Sequence, residues 1–247
     1  MLPAQPKGYM GQMPEDVAVD QEAETEEFID IYRLKIRNDP KIITPRMYRV
    51  LKNGRYEATE AKLARRYLNA DDTLLEFGSG LGVVAAIAIK RAKVKKVVSV
   101  EANPDLLPII RDTLGNSGVA QDKCELIYGA VSLEMDDELT FYRRGDFWGS
   151  SLSPQPGKVV STETVPCIDP AKLIATHNPT VIFSDIEGAE LELFPALDLS
   201  SLRAVVMEVH PRVYGDKGVC SIFKAMHDKG FAYNKQSSGS VIVFQKM

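Results

Sequence analysis

Glu76-Phe77-Gly78-Ser79-Gly80-Leu81-Gly82 sets a carboxylate two residues ahead of three glycines at alternate positions. Alternate glycines let a backbone bend sharply and let a ligand approach without meeting a Cβ. If a strand enters this bend and a helix leaves it, the helix's free N–H groups and dipole face the ligand. The dinucleotide fingerprint GxGxxG would need its third glycine at position 83, which is Val83. Glu76 would also repel a diphosphate, whereas it would attract a sulfonium cofactor bearing an α-ammonium group. The residues therefore point to S-adenosylmethionine. Twenty-five residues after Glu76, Val97-Val98-Ser99-Val100-Glu101 closes a second apolar run with an acid able to accept both hydroxyls of a ribose. NAD carries that ribose too, so Glu101 supports a nucleoside without choosing between the two. Ala130 and Val131, in Tyr128-Gly129-Ala130-Val131-Ser132, are small enough to border an adenine ring.

A second group of polar residues closes two later runs. Asp185-Ile186-Glu187-Gly188-Ala189-Glu190 follows one, and Met207-Glu208-Val209-His210 ends the other. Side chains alternate along a strand, so Asp185 shares a face with Glu187, and Glu208 with His210, if the strands continue. In a parallel sheet both sets emerge at the carboxyl edge, where such sheets bind ligands. They could deprotonate an acceptor hydroxyl, with His210 the natural base near neutral pH. They could hold a divalent cation, or be structural, Glu190 and Glu192 being acids on a helix surface or at its N-terminus. No metal is assigned. Asp185 stands nearest the reactive end of the cofactor, and Asp185, Glu187 and His210 are the candidate catalytic residues. His177 and His227 read as solvated. Between Glu134 and Pro166 the aromatics Phe141, Tyr142, Phe147 and Trp148 lie among breakers, as a hairpin or loop that covers something. Tyr142, Phe147 and Trp148 would wall an acceptor pocket, and Arg143 or Arg144 would meet an acidic acceptor.

The elements that must position these groups are legible as an alternation. Short β-branched runs at Thr73–Phe77, Lys96–Val100, Glu125–Tyr128, Val181–Asp185 and Ala204–Val209 alternate with helical segments at Val83–Ala92, Pro104–Leu114 and from Ala189 towards Phe194. Asn103 reads as the N-cap of the second helix, with Pro104 in its first turn. This is the pattern of βαβ units and a parallel sheet. A helix at Val219–Lys229 stops at Gly230, and Phe231–Lys235 and Ser240–Gln245 form a closing antiparallel hairpin. Ahead of the sheet, a helix at Glu57–Leu68 is expected. Residues 22–56 read as a helical extension whose helix runs from Glu22 to Arg37, with Phe28, Ile31, Tyr32 and Lys35 on one face. Residues 1–21 read as a flexible tail.

Composition narrows the function classes. Of 247 residues 45% are hydrophobic and 26% charged, ordinary for a folded soluble chain. Thirty Lys and Arg against 34 Asp and Glu leave a formal charge of −4, which argues against a dedicated nucleic-acid binder. The sequence has no run of about 18 apolar residues to span a membrane, and no secretory signal in its first thirty residues. Cys124, Cys167 and Cys220 lie far apart and odd in number, as expected of reduced thiols in the cytoplasm.

At these same residues the chain resembles the FkbM family of S-adenosylmethionine-dependent methyltransferases. The resemblance rests on the Glu76–Gly82 turn, Val100-Glu101-Ala102-Asn103-Pro104, Ser150-Ser151-Leu152, Asp185-Ile186-Glu187-Gly188-Ala189-Glu190 and Met207-Glu208-Val209-His210, and spans roughly Gly54 to Gln245. It implies an α/β, Rossmann-like class I methyltransferase fold over residues 57–247, with a seven-stranded mixed sheet whose last strand is antiparallel. It also implies methyl transfer, usually to a hydroxyl oxygen, on polyketides, sugars and polysaccharides; the expected partner is a small-molecule or saccharide acceptor, and composition argues for no nucleic-acid and no membrane partner. Oligomeric state stays open. Two features depart from the family: the first strand ends in Glu76 rather than Asp, and the turn is Gly-Ser-Gly rather than Gly-Ala-Asn. A nicotinamide-dependent oxidoreductase, or an S-adenosylmethionine-binding scaffold without catalysis, are the alternatives.

Overall fold

The β-branched runs become strands, and their order fixes where a ligand can sit. The computed structural model describes residues 26–134, 136–154 and 157–247, so the expected tail at 1–21 lies outside the described residues. The central strands are β3 (Thr73–Phe77), β4 (Lys96–Glu101), β5 (Cys124–Tyr128), β9 (Val181–Ser184), β10 (Ala204–Glu208), β11 (Phe231–Tyr233) and β12 (Val241–Lys246). They hydrogen-bond in the order β11-β12-β10-β9-β3-β4-β5. The strands from β10 through β5 run parallel, while β12 is antiparallel to both β10 and β11. The chain winds outward from β3 to β5 and then returns to β9 on the other side of β3. That reversal leaves a crevice at the carboxyl edge between β3 and β9.

Helices cover both faces. On one lie α2 (Ala58–Tyr67), α3 (Val83–Ile87) and α4 (Leu106–Asn116); on the other lie α5 (Pro170–His177), α6 (Glu190–Ala196) and α7 (Pro211–Asp228). Alternation splits each strand between the two layers: Leu74, Val97 and Val181 bury on the first, Leu75, Val98 and Ile182 on the second. Each fully buried Leu or Ile contributes about 1.5–3 kcal/mol. All five residues of α3 are buried, so this short helix is apolar all round, and a π-helical turn at Ala88–Ala92 ends it. Asn103 caps a turn rather than a helix. Its Oδ1 accepts from the Asp105 N–H at 3.1 Å, and α4 begins after Asp105. The expected last helix starts earlier than Val219, at Pro211, and bends at Gly215.

The extension is not the helix expected at Glu22–Arg37. Its described part is an antiparallel hairpin of β1 (Phe28–Ile31) and β2 (Leu34–Arg37), followed by α1 (Pro45–Lys52). Ile29, Ile31, Leu34 and Ile36 are buried, a period of two rather than 3.6. The two-residue turn places Tyr32 and Arg33 at φ 53° and 65°, with none of the Asn-Gly chemistry that marks such turns. Tertiary contacts hold it: the Tyr32 hydroxyl reaches the carbonyls of Gly54 and Tyr56 at 2.8 and 2.9 Å, and Arg65 lies over the Tyr32 ring. The hairpin and α1 share one core with α3 and α4.

The insertion also forms a small sheet. β6 (Ala130–Val131), β7 (Glu138–Arg143) and β8 (Ser161–Ile168) order as β6-β8-β7, with β7 and β8 antiparallel. Among the described residues no helix is long and apolar enough to cross a membrane.

Candidate active site

Backbone bonds at the crevice carry the sheet ladder into the glycine turn. The Gly78 N–H donates to the Val100 carbonyl at 3.0 Å, and the Asp185 N–H to the Phe77 carbonyl at 2.9 Å. Gly78 has φ 83°, and a Cβ there would fall 2.0 Å from the Asp185 carbonyl oxygen, so only glycine lets the turn lie on the end of β9. A Cβ on Gly80 would meet the Tyr56 hydroxyl and Glu57 Oε1 at 2.3 and 2.8 Å. Gly82 opens α3 from behind, against Ile110, and does not line the cavity.

Two acids anchor this turn. Glu76 is 3% exposed and accepts from the hydroxyls of Ser99 and, at 3.3 Å, Ser79. Burial pushes it up to about 7 despite those bonds. Glu101 accepts the N–H groups of Ser79 and Gly80 on Oε2, at 3.1 and 3.0 Å, and that of Asn103 on Oε1 at 2.8 Å. Burial raises it to about 7 as well, against these three bonds. An ionised carboxylate has about four acceptor positions, so Oε1, which takes the Asn103 bond, has more room for a further donor than Oε2, which takes two.

Two residues outside the expected set, Tyr56 and Glu57, cover the turn. The Leu81 N–H donates to the Tyr56 hydroxyl at 3.2 Å. Glu57 stands beside it with φ 47°, and its Oε2 is buried without a hydrogen bond. Burial, then the charges of Glu60, Glu76 and Asp185, push Glu57 well above the carboxylate range, although Tyr56 acts against them. Nothing in the local sequence marks Tyr56 or Glu57, because the Tyr32 contact that positions them comes from a hairpin some twenty residues earlier.

At the other end, the loop after β9 presents Asp185 and Glu187. Glu190 is wholly buried and not a surface acid: its two oxygens accept the N–H groups of Ile186 and Gly188, both at 2.8 Å. This brace holds Glu187 in the left-handed region at φ 56°. Expected to face the acceptor, His210 instead stands behind the two carboxylates and outside the cavity lining. Its Nε2 is 3.2 Å from Asp185 Oδ1 and 3.6 Å from Glu190 Oε1, and its Nδ1 is 3.6 Å from Glu187 Oε2. Burial alone would lower the imidazole pKa, but Asp185 and Glu190 outweigh it and raise it to about 11. Burial and then Asp185 push Glu187 up to about 7. Glu208 accepts from the Ser240 hydroxyl at 2.7 Å and is likewise raised by burial and Asp185. His227 is exposed as expected, while His177 is mostly buried, 3.9 Å from Glu125.

Gly78, Gly80, Glu76, Glu101, Tyr56 and Glu57 line one cavity of about 1010 Å³, part of it open to solvent, together with Asp185, Glu187 and Glu208 and with Ala130 and Val131; Gly82, Glu190 and His210 do not. Phe141, Phe147 and Trp148 come from the insertion to cover it, with Ser150, Ser151 and Leu152. Tyr142 does not reach it, and neither arginine faces it. Arg143 pairs with Asp105 and, at 3.0 Å, Glu163; Arg144 holds Gly149 O, Ser151 Oγ and Ser153 O at 2.6–3.1 Å. The outer mouth is acidic, with Glu57, Glu60, Asp185, Glu187 and Glu208 against Arg55.

An open sheet in this order, with an acid and a glycine turn at its switch point, defines a Rossmann-like methyltransferase of class I. The chain belongs to the FkbM methyltransferase family: the model described as "Methyltransferase FkbM domain" matches residues 75–233. No curated protein matches the chain. Among solved structures it is similar to a precorrin-6y C5,15-methyltransferase from Geobacter metallireducens GS-15, at 15% identity over 77% of this chain and 88% of that one, with a TM-score of 0.46. It is similar to a methyltransferase from Pyrococcus furiosus at 14% identity, over 87% and 90%, with a TM-score of 0.46. It is also similar to M. jannaschii TYW2 in complex with AdoMet, at 11% identity, over 76% and 75%, with a TM-score of 0.40. The family's cofactor, S-adenosylmethionine, fits the lining: the glycine cradle has no room for a Cβ, and the unpaired Glu57 oxygen offers an acceptor to an ammonium donor and nothing to a diphosphate.

Proposed function

We propose that the chain methylates a hydroxyl oxygen of a small-molecule or saccharide acceptor, in the cytoplasm, with S-adenosylmethionine as donor. The observation that carries this reading is one continuous cavity with the nucleoside-type lining of Glu101, Ala130 and Val131 at one end and Asp185 and Glu187 at the other. Gly78 and Gly80 would admit the methionine part, and Glu76 and Glu57 would accept hydrogen bonds from its ammonium group. Glu101 would offer its remaining acceptor position to the ribose, and Ala130 and Val131 would border the adenine. When bound, the cofactor supplies an electrophilic methyl group on a sulfonium. The chain's own task is then in-line placement of the acceptor oxygen, the largest part of such a rate gain. Asp185 and Glu187 accept hydrogen bonds from that hydroxyl and take its proton, a step worth about 10²–10⁴-fold. Phe147 and Trp148 keep water off the reacting atoms. An acidic mouth and a net charge of −4 disfavour phosphate-bearing partners. The three free cysteines agree with a reducing compartment.

The test is mass-spectrometric detection of S-adenosylhomocysteine with a panel of polyol, sugar and polyketide acceptors, alongside calorimetric titration with cofactor. Turnover with a hydroxyl acceptor, and a methyl ether in the product, is expected. Tight NAD binding without S-adenosylmethionine binding would overturn the donor. Donor binding without turnover on any acceptor would leave a scaffold rather than an enzyme.

A further inference from the structure

His210 is the only imidazole among the described residues that stands inside a shell of carboxylates. Its side chain is 10% exposed, and its Nε2 is buried and makes no hydrogen bond. The same holds for Asp185 Oδ1, although the two atoms are 3.2 Å apart. The two atoms pair by charge, yet neither makes an aligned hydrogen bond, so both remain open to a further ligand. One donor atom each from Asp185, Glu187 and His210 falls within 4.8 Å of the others.

We propose that Asp185, Glu187 and His210 bind a divalent cation of the Mn²⁺ or Zn²⁺ type at the acceptor end of the cavity. Two ligand atoms held about 2.1 Å from one metal lie roughly 3 Å apart when adjacent in its coordination sphere, close to the Nε2–Oδ1 separation. One imidazole and two carboxylates suit a borderline cation better than Ca²⁺ or Mg²⁺, which prefer oxygen ligands throughout. Glu190 is not a ligand, because both its oxygens serve Ile186 and Gly188; it orients the loop that carries the other two, as supporting groups do around metal sites. Asp185 and Glu187 line the cavity, so the cation is within reach of an acceptor. Its catalytic use, drawing an acceptor hydroxyl towards its alkoxide, rests on the methyltransfer reading above; its binding does not.

The full chain, stripped with a chelator, is titrated with Mn²⁺ by calorimetry and by loss of the free-ion electron paramagnetic resonance signal. S-adenosylhomocysteine binding is measured on the same sample. One Mn²⁺ per chain is expected, weakened by at least about tenfold in Asp185→Asn and His210→Ala. If His210→Ala does not fold, Glu187→Gln, on a partly exposed loop, takes its place. No uptake by the wild type up to about 1 mM Mn²⁺ or Zn²⁺ overturns the cation site, as does uptake unchanged in the variants. In that event His210 is the imidazolium counter-ion of the three carboxylates. Loss of S-adenosylhomocysteine binding alone would instead strike the donor reading and leave the cation site standing.

Discussion

Replacing Glu101 by Gln isolates the charge and acceptor count of one side chain at almost constant volume. The carboxylate of Glu101, 7% exposed, accepts three backbone N–H groups: two on Oε2 from the glycine turn and one on Oε1 from Asn103. A carboxamide has a single acceptor oxygen, so its NH₂ must face at least one of those N–H donors in either flip. The cheaper flip keeps the oxygen on Ser79 and Gly80 and gives up the Asn103 bond. Hydrogen bonds to charged groups contribute about 1.5–3 kcal/mol each, so the variant should lose about that much stability. For a chain of this size that is a fall in Tm of about 3–12 °C. The Oε1 position left for a ribose hydroxyl is lost in the same flip. Cofactor affinity should then drop by a further 1.5–3 kcal/mol or so, roughly 10- to 150-fold. Calorimetric titration with S-adenosylhomocysteine and thermal unfolding without ligand read the two effects separately. A lower Tm with unchanged Kd would mean that Glu101 serves only the turn, and that the ribose is held elsewhere. Unchanged values of both would refute the hydrogen-bond account itself.

Gly78→Ala should be much worse than Gly80→Ala. The Cβ at 78 meets the backbone carbonyl of Asp185, which cannot move without breaking the β3–β9 ladder, whereas the Cβ at 80 meets the ends of two side chains. Soluble yield, thermal unfolding and S-adenosylhomocysteine titration of both variants check this, and an equal penalty would refute it. A second prediction concerns acid. Burial would raise the pKa of Asp72, but its Arg203, Thr180 and Asn69 contacts outweigh that and lower it. A depressed folded pKa contributes stability that is present above the unfolded Asp value of about 3.9 and lost as pH falls through the folded one. The Tm gap between wild type and Asp72→Asn should therefore narrow below about pH 4. A gap constant down to the lowest pH at which both fold would contradict it.

The sheet was legible because its strands are buried on both faces. Continuous β-branched runs bounded by breakers identify Thr73–Phe77 and its parallel neighbours to within a residue or two. The same signal failed for Phe28–Arg37, where hydrophobic residues also satisfy a helical spacing and the turn residues Tyr32-Arg33 carry no local preference for positive φ. Strand-end acids were legible as site residues because topology alone brings carboxyl ends together, and Glu76, Glu101, Asp185 and Glu187 do line the cavity. Their hydrogen-bond partners were not. That Glu101 spends three acceptor positions on its own backbone, or that Glu190 is the brace of its loop, depends on side-chain direction and burial, which spacing does not encode. The arginines of the insertion escaped for the same reason: their charge suggested a ligand, but Asp105 and Glu163 pair with Arg143, and loop oxygens take the N–H groups of Arg144.

The N-terminal hairpin and the insertion, far apart in sequence, act on the site as one cover. Asp146 opens the Phe147-Trp148 turn and is held by Arg46 at 2.8 Å and Thr44 at 3.2 Å, both at the start of α1. The Phe147 ring packs edge-on against Tyr56, 6.3 Å between centroids, and Tyr56 bonds the glycine turn through Leu81. Tyr56 is in turn positioned by Tyr32 in the hairpin. Each link is individually modest, since the Arg46 pair is mostly exposed and worth at most about 1 kcal/mol. Their value lies in series: they join the glycine turn to the aromatic wall of the cavity. Through Tyr56 the glycine turn and the Phe147-Trp148 wall are therefore in direct contact. An extension that shares the core of α3 and α4 is, on this argument, part of the active-site architecture and not an appendage to it.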